Sequence, residues 1–277
     1  MDLKAYFLEH EHELVRLEQH FKANELAALK LAEASQKKYL CFRLDGIKAS
    51  KRFLKDSLSN KKFYDALRLS IQGVYRLFRQ CTGREYGERV EGNFFLCAIC
   101  VSDEVSFVLN SEPNHLEGRL FKTGTSLAGT LSGAMSLNYK IESKRQAKVS
   151  SSGRQYPMVV AFDARPLILD DYATVETYIL SRWLLAGRNA LTKVLRLAGV
   201  LTGNEAHVLG ERNELARLCD LVAAHELEAQ YREIMTEFTL FVPTALTHEA
   251  SFQELRPTDG TGGIAALCEK LSLLKRT

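Results

Sequence analysis

The order of strand-like and helix-like segments predicts an α+β fold that begins as a βαββαβ arrangement. A short β-type segment at 39–44 is followed by an amphipathic helical stretch at 62–81. Two apolar runs, 94–101 and 105–109, come next and are so close in sequence that they must form a hairpin. This hairpin lacks the Asn-Gly or Gly-x pair that a tight turn favours.

The remaining segments complete an organisation of three regions: an N-terminal helical extension at 1–36, a central domain at 37–200 and a mainly helical C-terminal region at 201–277. The patterns predict one or two helices in 2–35, a helix at 172–197, helical structure at 203–233 and a final helix at 263–275. They also predict one strand or a pair at 159–169 and a short strand at 238–242, which is followed by a linker. A run rich in small residues occupies 118–139, and a mobile basic loop is predicted at 140–155. The small-residue run lacks the Gly-Lys-Ser/Thr ending of a Walker loop, which excludes that type of phosphate site.

Composition indicates a globular protein with one large domain and appendages, or two domains. The chain has 277 residues, of which 46% are hydrophobic and 26% charged. No apolar run approaches the length of a membrane span, and the charged N-terminus does not resemble a signal peptide. We therefore expect a cytoplasmic protein without a membrane partner.

The net charge of +3 conceals an uneven distribution. Residues 37–154 carry 21 Lys and Arg against 11 Asp and Glu, whereas 202–260 carry 4 against 11. The basic part surrounds the predicted strands, which suits a polyphosphate or a nucleic-acid backbone. A solvated basic face is the alternative interpretation.

The six cysteines do not form the pattern of a disulfide framework. Cys97 and Cys100 are three residues apart on a predicted strand, so their side chains point to opposite faces and are unsuited to one metal ion. We predict buried core thiols. His10 and His12 are two residues apart on a predicted helix and do not share a face, so a solvated helix is favoured over a metal site.

Two acidic corners lie at the ends of the predicted strands. Asp45-Gly46 ends the first strand, and Ser102-Asp103-Glu104 occupies the hairpin. Carboxylates on neighbouring strands can hold two divalent cations for phosphoryl transfer, and Mg²⁺ needs only one or two protein carboxylates. The alternative is that Asp45-Gly46 is an ordinary turn and Asp103-Glu104 a solvated loop.

These corners belong to an ordered set of motifs from about residue 39 to about residue 210. The set comprises Arg43-Leu44-Asp45-Gly46, Ser102-Asp103-Glu104, Phe162-Asp163-Ala164-Arg165, Arg182 with Arg188-Asn189-Ala190-Leu191, and Glu205-Ala206-His207. In order and spacing it resembles the tRNA(His) guanylyltransferase family and its guanylyltransferase-like branch, which are 3′-to-5′ nucleotidyltransferases. The resemblance implies a polymerase-type palm, an antiparallel sheet with helices on one face, carrying N-terminal and C-terminal helical appendages.

The resemblance also implies a set of site residues. Two Mg²⁺ ions would be held by Asp45, Asp103 and the Gly46 carbonyl, with Glu104 completing the catalytic set. The implied nucleotide-binding residues are Asp45, Gly46, Ile47, Lys48, Ala49, Ser50, Ser102, Asp103, Arg119 and Lys122. The implied RNA-binding residues are Arg182, Arg188 and Asn189, of which Arg182 and Asn189 would share a helix face.

The chain departs from the family pattern at two places. Ile47, Ala49 and Ser50 stand where Arg, Phe and His are usual, which affects base and sugar contacts more than backbone contacts. Residues 187–190 read Gly-Arg-Asn-Ala, where enzymes that add a fixed G to tRNA(His) carry His-Ile-Asn-Asn. The Arg-Asn-Ala form is similar to the branch that repairs 5′ ends.

The implied activity is addition of nucleotides to the 5′ end of RNA, either tRNA 5′-end repair or tRNA(His) guanylylation. ATP and GTP would be substrates, together with a tRNA or other 5′-monophosphorylated RNA, and the protein would form a homo-oligomer, a tetramer or a dimer. Two alternatives stay open at this point: a palm enzyme that makes cyclic or oligomeric nucleotides, and a non-catalytic RNA-binding relative.

Overall fold

The computed structural model describes residues 3–28, 39–49, 57–85, 95–109, 120–146, 159–202, 214–235, 237–243, 252–256 and 268. In chain order its elements are α1 (Leu3–Ala28), β1 (Tyr39–Gly46), α2 (Ser57–Glu85), β2 (Phe95–Val101), β3 (Glu104–Leu109), α3 (Leu120–Gln146), β4 (Phe162–Leu169), α4 (Tyr172–Leu197), α5 (Glu214–Ala224), α6 (Glu228–Met235), β5 (Thr239–Pro243) and β6 (Phe252–Leu255). None of the helices in these ranges combines the length and apolar character needed to cross a membrane.

The strands form one antiparallel sheet in the order β4-β1-β3-β2-β5-β6. From β1 to β4 the elements follow the order βαββαβ, which confirms the predicted α+β class. β5 confirms the strand expected at 238–242, and it pairs with β2. β6 was not predicted, because a four-residue Phe-Gln-Glu-Leu strand is too short to show a period and is recognisable only by its pairing with β5.

The described helices can be compared with the sequence expectation. α1 lies within the predicted 2–35, and α5 and α6 both begin within the predicted 203–233. α2 extends the predicted 62–81 at both ends, and α4 matches the predicted 172–197. The prediction of a loop from residue 140 is wrong for its first part, since α3 continues to Gln146. Lysine and arginine are good helix formers, so a basic composition does not by itself end a helix. The final helix predicted at 263–275 lies outside the described residues, apart from position 268.

Helices cover both faces of the sheet. Leu40, Phe42 and Leu44 of β1 point to one face, where they pack with α2 and α3 in one hydrophobic core. Cys41 points to the other face, where a second core contains residues of α1, α4, α5 and α6. The expectation of helices on one face is therefore met only by α2 and α3, the two helices that connect the strands of the βαββαβ unit. The division of the chain at residues 36 and 200 stays a prediction.

The two cysteines of β2 lie on opposite faces, as their spacing predicted. Cys97 belongs to the core beneath α1 and α4, and Cys100 to the core beneath α2 and α3. Both thiols are free and buried, and burial raises the pKa of each. They are core residues with little thiolate character.

Candidate active site

The two acidic corners meet in the structure. Strands β1 and β3 pair so that Leu44 faces Val105 and Asp45 faces Glu104. The N–H of Gly46 then donates a hydrogen bond of 3.1 Å to the carbonyl oxygen of Asp103. The end of β1 and the tip of the β2–β3 hairpin are thus joined through their backbones.

The hairpin turn places a non-glycine residue in the left-handed region. Ser102 has a φ of +56°, a conformation that glycine adopts without cost. For other residues the cost is about 1–2 kcal/mol. This is the turn whose sequence lacked the expected glycine, and the strain falls directly beside Asp103.

Gly46 is required by close approach rather than by its φ angle. A Cβ at this position would lie 2.7 Å from the Ala49 Cβ and 3.1 Å from the Asp103 carbonyl oxygen. Both distances are below ordinary contact. The corner therefore closes only with glycine at position 46.

A row of three carboxylates crosses the sheet at this end. Asp45 on β1 faces Glu104 on β3 and Asp163 on β4. Cross-strand partners in antiparallel pairs have Cα atoms about 4.5–5.5 Å apart and point to the same face. Asp163 was not among the predicted site residues, although it stood in one of the motifs that carried the family resemblance.

The pKa of Asp45 is raised above its ordinary value. Burial is the largest cause, followed by the negative charges of Asp103 and Asp163, and Arg165 and Arg43 only partly offset them. A carboxylate in this position is stabilised by any additional cation. The middle of the row is therefore an attractive position for a metal ion.

The two flanking carboxylates have arginine partners. Glu104 pairs with Arg182 at 2.5 Å and with Arg43 at 3.8 Å. Burial nevertheless raises the pKa of Glu104, against the opposing effect of these two arginines. On the other side, Arg165 donates to Asp163 over 3.1 Å. Glu104 thus faces the protein interior, where it fixes two guanidinium groups.

The donor set fits Mg²⁺. Asp45, Asp103 and the Gly46 carbonyl offer hard oxygen ligands, and Oδ1 of Asp163 is buried without a hydrogen-bond partner. Within the described ranges, no three His, Cys, Asp or Glu side chains converge tightly enough to hold an ion by themselves. Mg²⁺ takes only one or two protein carboxylates and completes its shell with phosphate oxygens and water.

The turn after β1 is only partly free to bind phosphate through its backbone. The N–H of Ile47 donates to the Ala161 carbonyl over 2.8 Å, and that of Gly46 is taken by Asp103. The Ile47 side chain is half-exposed, Lys48 is exposed with a φ of +56°, and Ala49 is buried. Ser50 lies outside the described residues. The exposed cation of this turn is Lys48.

Lys122 is exposed on α3. Two residues later the helix approaches the sheet, because a Cβ on Gly124 would lie 3.0 Å from Cε1 of Phe42 and 3.7 Å from the Cβ of Ala164. Further along the helix, the Phe162 N–H donates to Ser132 Oγ. α3 packs on the face of the sheet opposite the carboxylates. Arg119 lies outside the described residues.

The predicted RNA-binding residues of α4 differ in their surroundings. Arg182 is 7% exposed and bound to Glu104, whereas Arg188 donates to Glu18 of α1 over 3.2 Å. Asn189 is exposed, so it does not share the buried surroundings of Arg182. Burial raises the pKa of Glu18, but Arg188 and Lys22 together hold it below its ordinary value. Both arginines thus have carboxylate partners within the domain.

A cavity of about 200 Å³ lies behind Glu104, between α1, α4 and the strands β1 and β3. Its lining residues are Leu14, Glu18, Phe21, Lys22, Arg43, Glu104, Ser181, Arg182 and Leu185. Its two carboxylates pair with the arginines and the lysine around it. The charged part of α1 therefore borders the same cavity as Glu104 and its two arginines.

Solved structures of known proteins share this fold. A bacterial tRNA(His) guanylyltransferase-like protein in complex with ATP aligns with a TM-score of 0.57 and 12% sequence identity, over 92% of this chain and 96% of its own. A bacterial protein of the same description in complex with GTP gives a TM-score of 0.53 and 11% identity, over 92% and 97%. The tRNA(His) guanylyltransferase of Saccharomyces cerevisiae gives 0.52 and 15%, over 78% and 91%.

The chain therefore has the fold of the tRNA(His) guanylyltransferases, and the resemblance seen in its motifs is confirmed at the level of the fold. No protein-family model matches the sequence. No curated protein matches it either.

Proposed function

We propose that the chain is a Mg²⁺-dependent nucleotidyltransferase that adds nucleotides to the 5′ end of an RNA, with tRNA as the substrate class. The observation that carries this proposal is the position of Asp45. It lies in the middle of a carboxylate row, with a raised pKa, beside the backbone junction of Gly46 and Asp103. The fold supports it, since relatives with this fold were solved in complex with ATP and GTP.

Asp45, Asp103 and the Gly46 carbonyl would hold two Mg²⁺ ions. Bound there, the ions supply Lewis-acid chemistry that activates the attacking hydroxyl and neutralises charge on the leaving group. The residues of the chain fix the geometry. The hydrogen bond from Gly46 to Asp103 sets the distance between the two corners, and Glu104 anchors the hairpin through Arg182 and Arg43.

The reaction proposed has two steps. An NTP first transfers its nucleotidyl group to the 5′-monophosphate of the RNA and releases pyrophosphate. The 3′-OH of an incoming NTP then attacks that 5′-phosphate and displaces the nucleoside monophosphate. ATP and GTP are the proposed substrates, and exposed Lys48 beside Gly46 is available for their phosphates. A cytoplasmic homo-oligomer, a dimer or a tetramer, belongs to the same proposal.

Among the RNA substrates we favour 5′-truncated tRNAs repaired by copying the opposite strand. Base pairing would supply the sequence information, so the protein needs few base contacts. Arg188 and Asn189 would hold the RNA backbone and position its 5′ end. Asn189 is exposed for this contact, whereas Arg188 is held by Glu18 and would have to exchange that partner for a phosphate. Dedicated guanylylation of tRNA(His) is the second form of the same activity.

The test is incubation of the purified protein with Mg²⁺, ATP and labelled NTPs, using one truncated tRNA with each of the four bases opposite the gap. We expect the NTP that pairs with the opposing base to be incorporated. Incorporation of G regardless of that base, and only into tRNA(His), would support the dedicated guanylyltransferase instead.

The same assay without RNA addresses the alternative enzyme class. A palm enzyme that makes cyclic or oligomeric nucleotides would give a small labelled product unaided. A protein that binds tRNA but gives no product with any substrate would be a non-catalytic relative, and the proposed activity would be wrong.

A further inference from the structure

The register between β1 and β4 places two arginines opposite each other. Arg43 and Arg165 are cross-strand partners on the face that carries the acidic row. Like charges directly opposite are destabilising, so each side chain must turn to an acid. Arg43 turns to Glu104 on β3, and Arg165 turns to Asp163 on its own strand. The two arginines therefore diverge to opposite sides of Asp45.

The exposure of their side chains differs. The side chain of Arg43 is 13% exposed and that of Arg182 is 8%, so Glu104 and its partners are fixed by packing. The side chain of Arg165 is 47% exposed. Among the described arginines around the row, Arg165 is the one that can turn without disturbing the core.

One nitrogen of Arg165 faces two carboxylates. It lies 3.1 Å from Oδ2 of Asp163 and 4.0 Å from Oδ2 of Asp45. The contact with Asp163 is a hydrogen bond, and the contact with Asp45 lies at the upper distance limit for an ion pair. The guanidinium is thus anchored to Asp163 and borders the position that a metal ion on Asp45 would take.

We propose that Arg165 is a positioning residue for the triphosphate, held in place by Asp163. This inference rests on the proposed nucleotidyltransferase function. Without metal, Arg165 acts as the counter-ion beside Asp45. With a metal ion bound at Asp45, the guanidinium would stay hydrogen-bonded to Asp163 and would direct its other N–H groups to phosphate oxygens. The planar fork of arginine suits contact with two partners at once.

The test measures binding without RNA and without turnover, by Mn²⁺ titration followed by electron paramagnetic resonance and by binding of labelled ATP in the presence of Mn²⁺. Arg165→Gln removes the competing cation, so Mn²⁺ binding should tighten severalfold, while ATP binding weakens about tenfold because charge-assisted phosphate contacts are lost. Asp163→Asn should weaken both. Arg165→Lys keeps the charge, so its Mn²⁺ affinity should resemble that of the wild type. Its ATP affinity should lie between those of the wild type and Arg165→Gln.

Arg196→Gln is the matched control, because it removes one exposed arginine at the end of α4 and should change neither affinity. Unchanged ATP binding in Arg165→Gln, or Mn²⁺ binding that weakens, would overturn the inference while leaving the proposed function intact. A wild-type protein that binds neither Mn²⁺ nor ATP would instead refute the proposed function and the inference with it.

Discussion

The N–H of Gly46 donates to the carbonyl of Asp103 over 3.1 Å, which fastens the end of β1 to the hairpin that follows β2. Each residue contributes to an acidic corner, and they are 57 positions apart in the sequence. Four predictions concern this junction and the charges around it.

Gly46→Ala should destabilise the protein by about 1–3 kcal/mol, because the new methyl group would overlap Ala49 and the Asp103 carbonyl. Nucleotide addition should fall with it, since the corners must separate. Urea unfolding and the tRNA assay measure the two effects. Gly73→Ala is the control: nothing lies within 4 Å of its Cβ position on α2, and it should stabilise by about 0.4–1 kcal/mol. Equal stability of the two variants would contradict the close approach.

Asp45→Asn and Asp103→Asn should each abolish nucleotide addition while leaving the fold intact, because amides of the same size are poorer Mg²⁺ ligands. Loss of a metal clamp removes several kcal/mol of transition-state stabilisation, about a hundredfold or more in rate. Rates are measured with Mg²⁺ after circular dichroism has confirmed folding. Near-normal activity in either variant would rule out the proposed metal ligands.

In the absence of divalent cations, Asp45→Asn should also be more thermally stable than the wild type at neutral pH. Because the folded state raises the pKa of Asp45, its negative charge destabilises the folded protein at pH values above that pKa. This penalty disappears as the pH falls through the raised pKa towards the ordinary value for Asp. The difference in Tm between variant and wild type should therefore narrow over that interval. A difference independent of pH would show that the charge is not its cause.

Glu104→Gln should destabilise the protein, because the amide NH₂ replaces one of the two oxygens that face Arg182 and Arg43 and turns a donor towards a guanidinium group. Glu237→Gln is the matched control, since Glu237 pairs with Lys193 at 2.7 Å and both side chains are 14% exposed. Both variants should unfold at lower urea concentration, but only Glu104→Gln should also lose activity. Similar loss of activity in both would reduce Glu104 to a stabilising role.

The local sequence was sufficient for the βαββαβ order and for the residues of the two acidic corners. Strand β1 and helix α4 follow from apolar periodicity within their own segments, and the missing turn glycine marked the hairpin at Ser102. These features depend on residues within a few positions of one another. They are therefore readable without the fold.

The tertiary structure decided which charges meet. Asp163 joins the acidic row and Arg165 comes to border Asp45 only because β4 pairs with β1 in a particular register. A shift of one residue would have moved both side chains to the other face. Arg188, expected to bind RNA, is bound to Glu18 of α1 because that helix packs on the same face of the sheet as α4. Such pairings are set by packing between segments more than a hundred residues apart, and no local pattern encodes them.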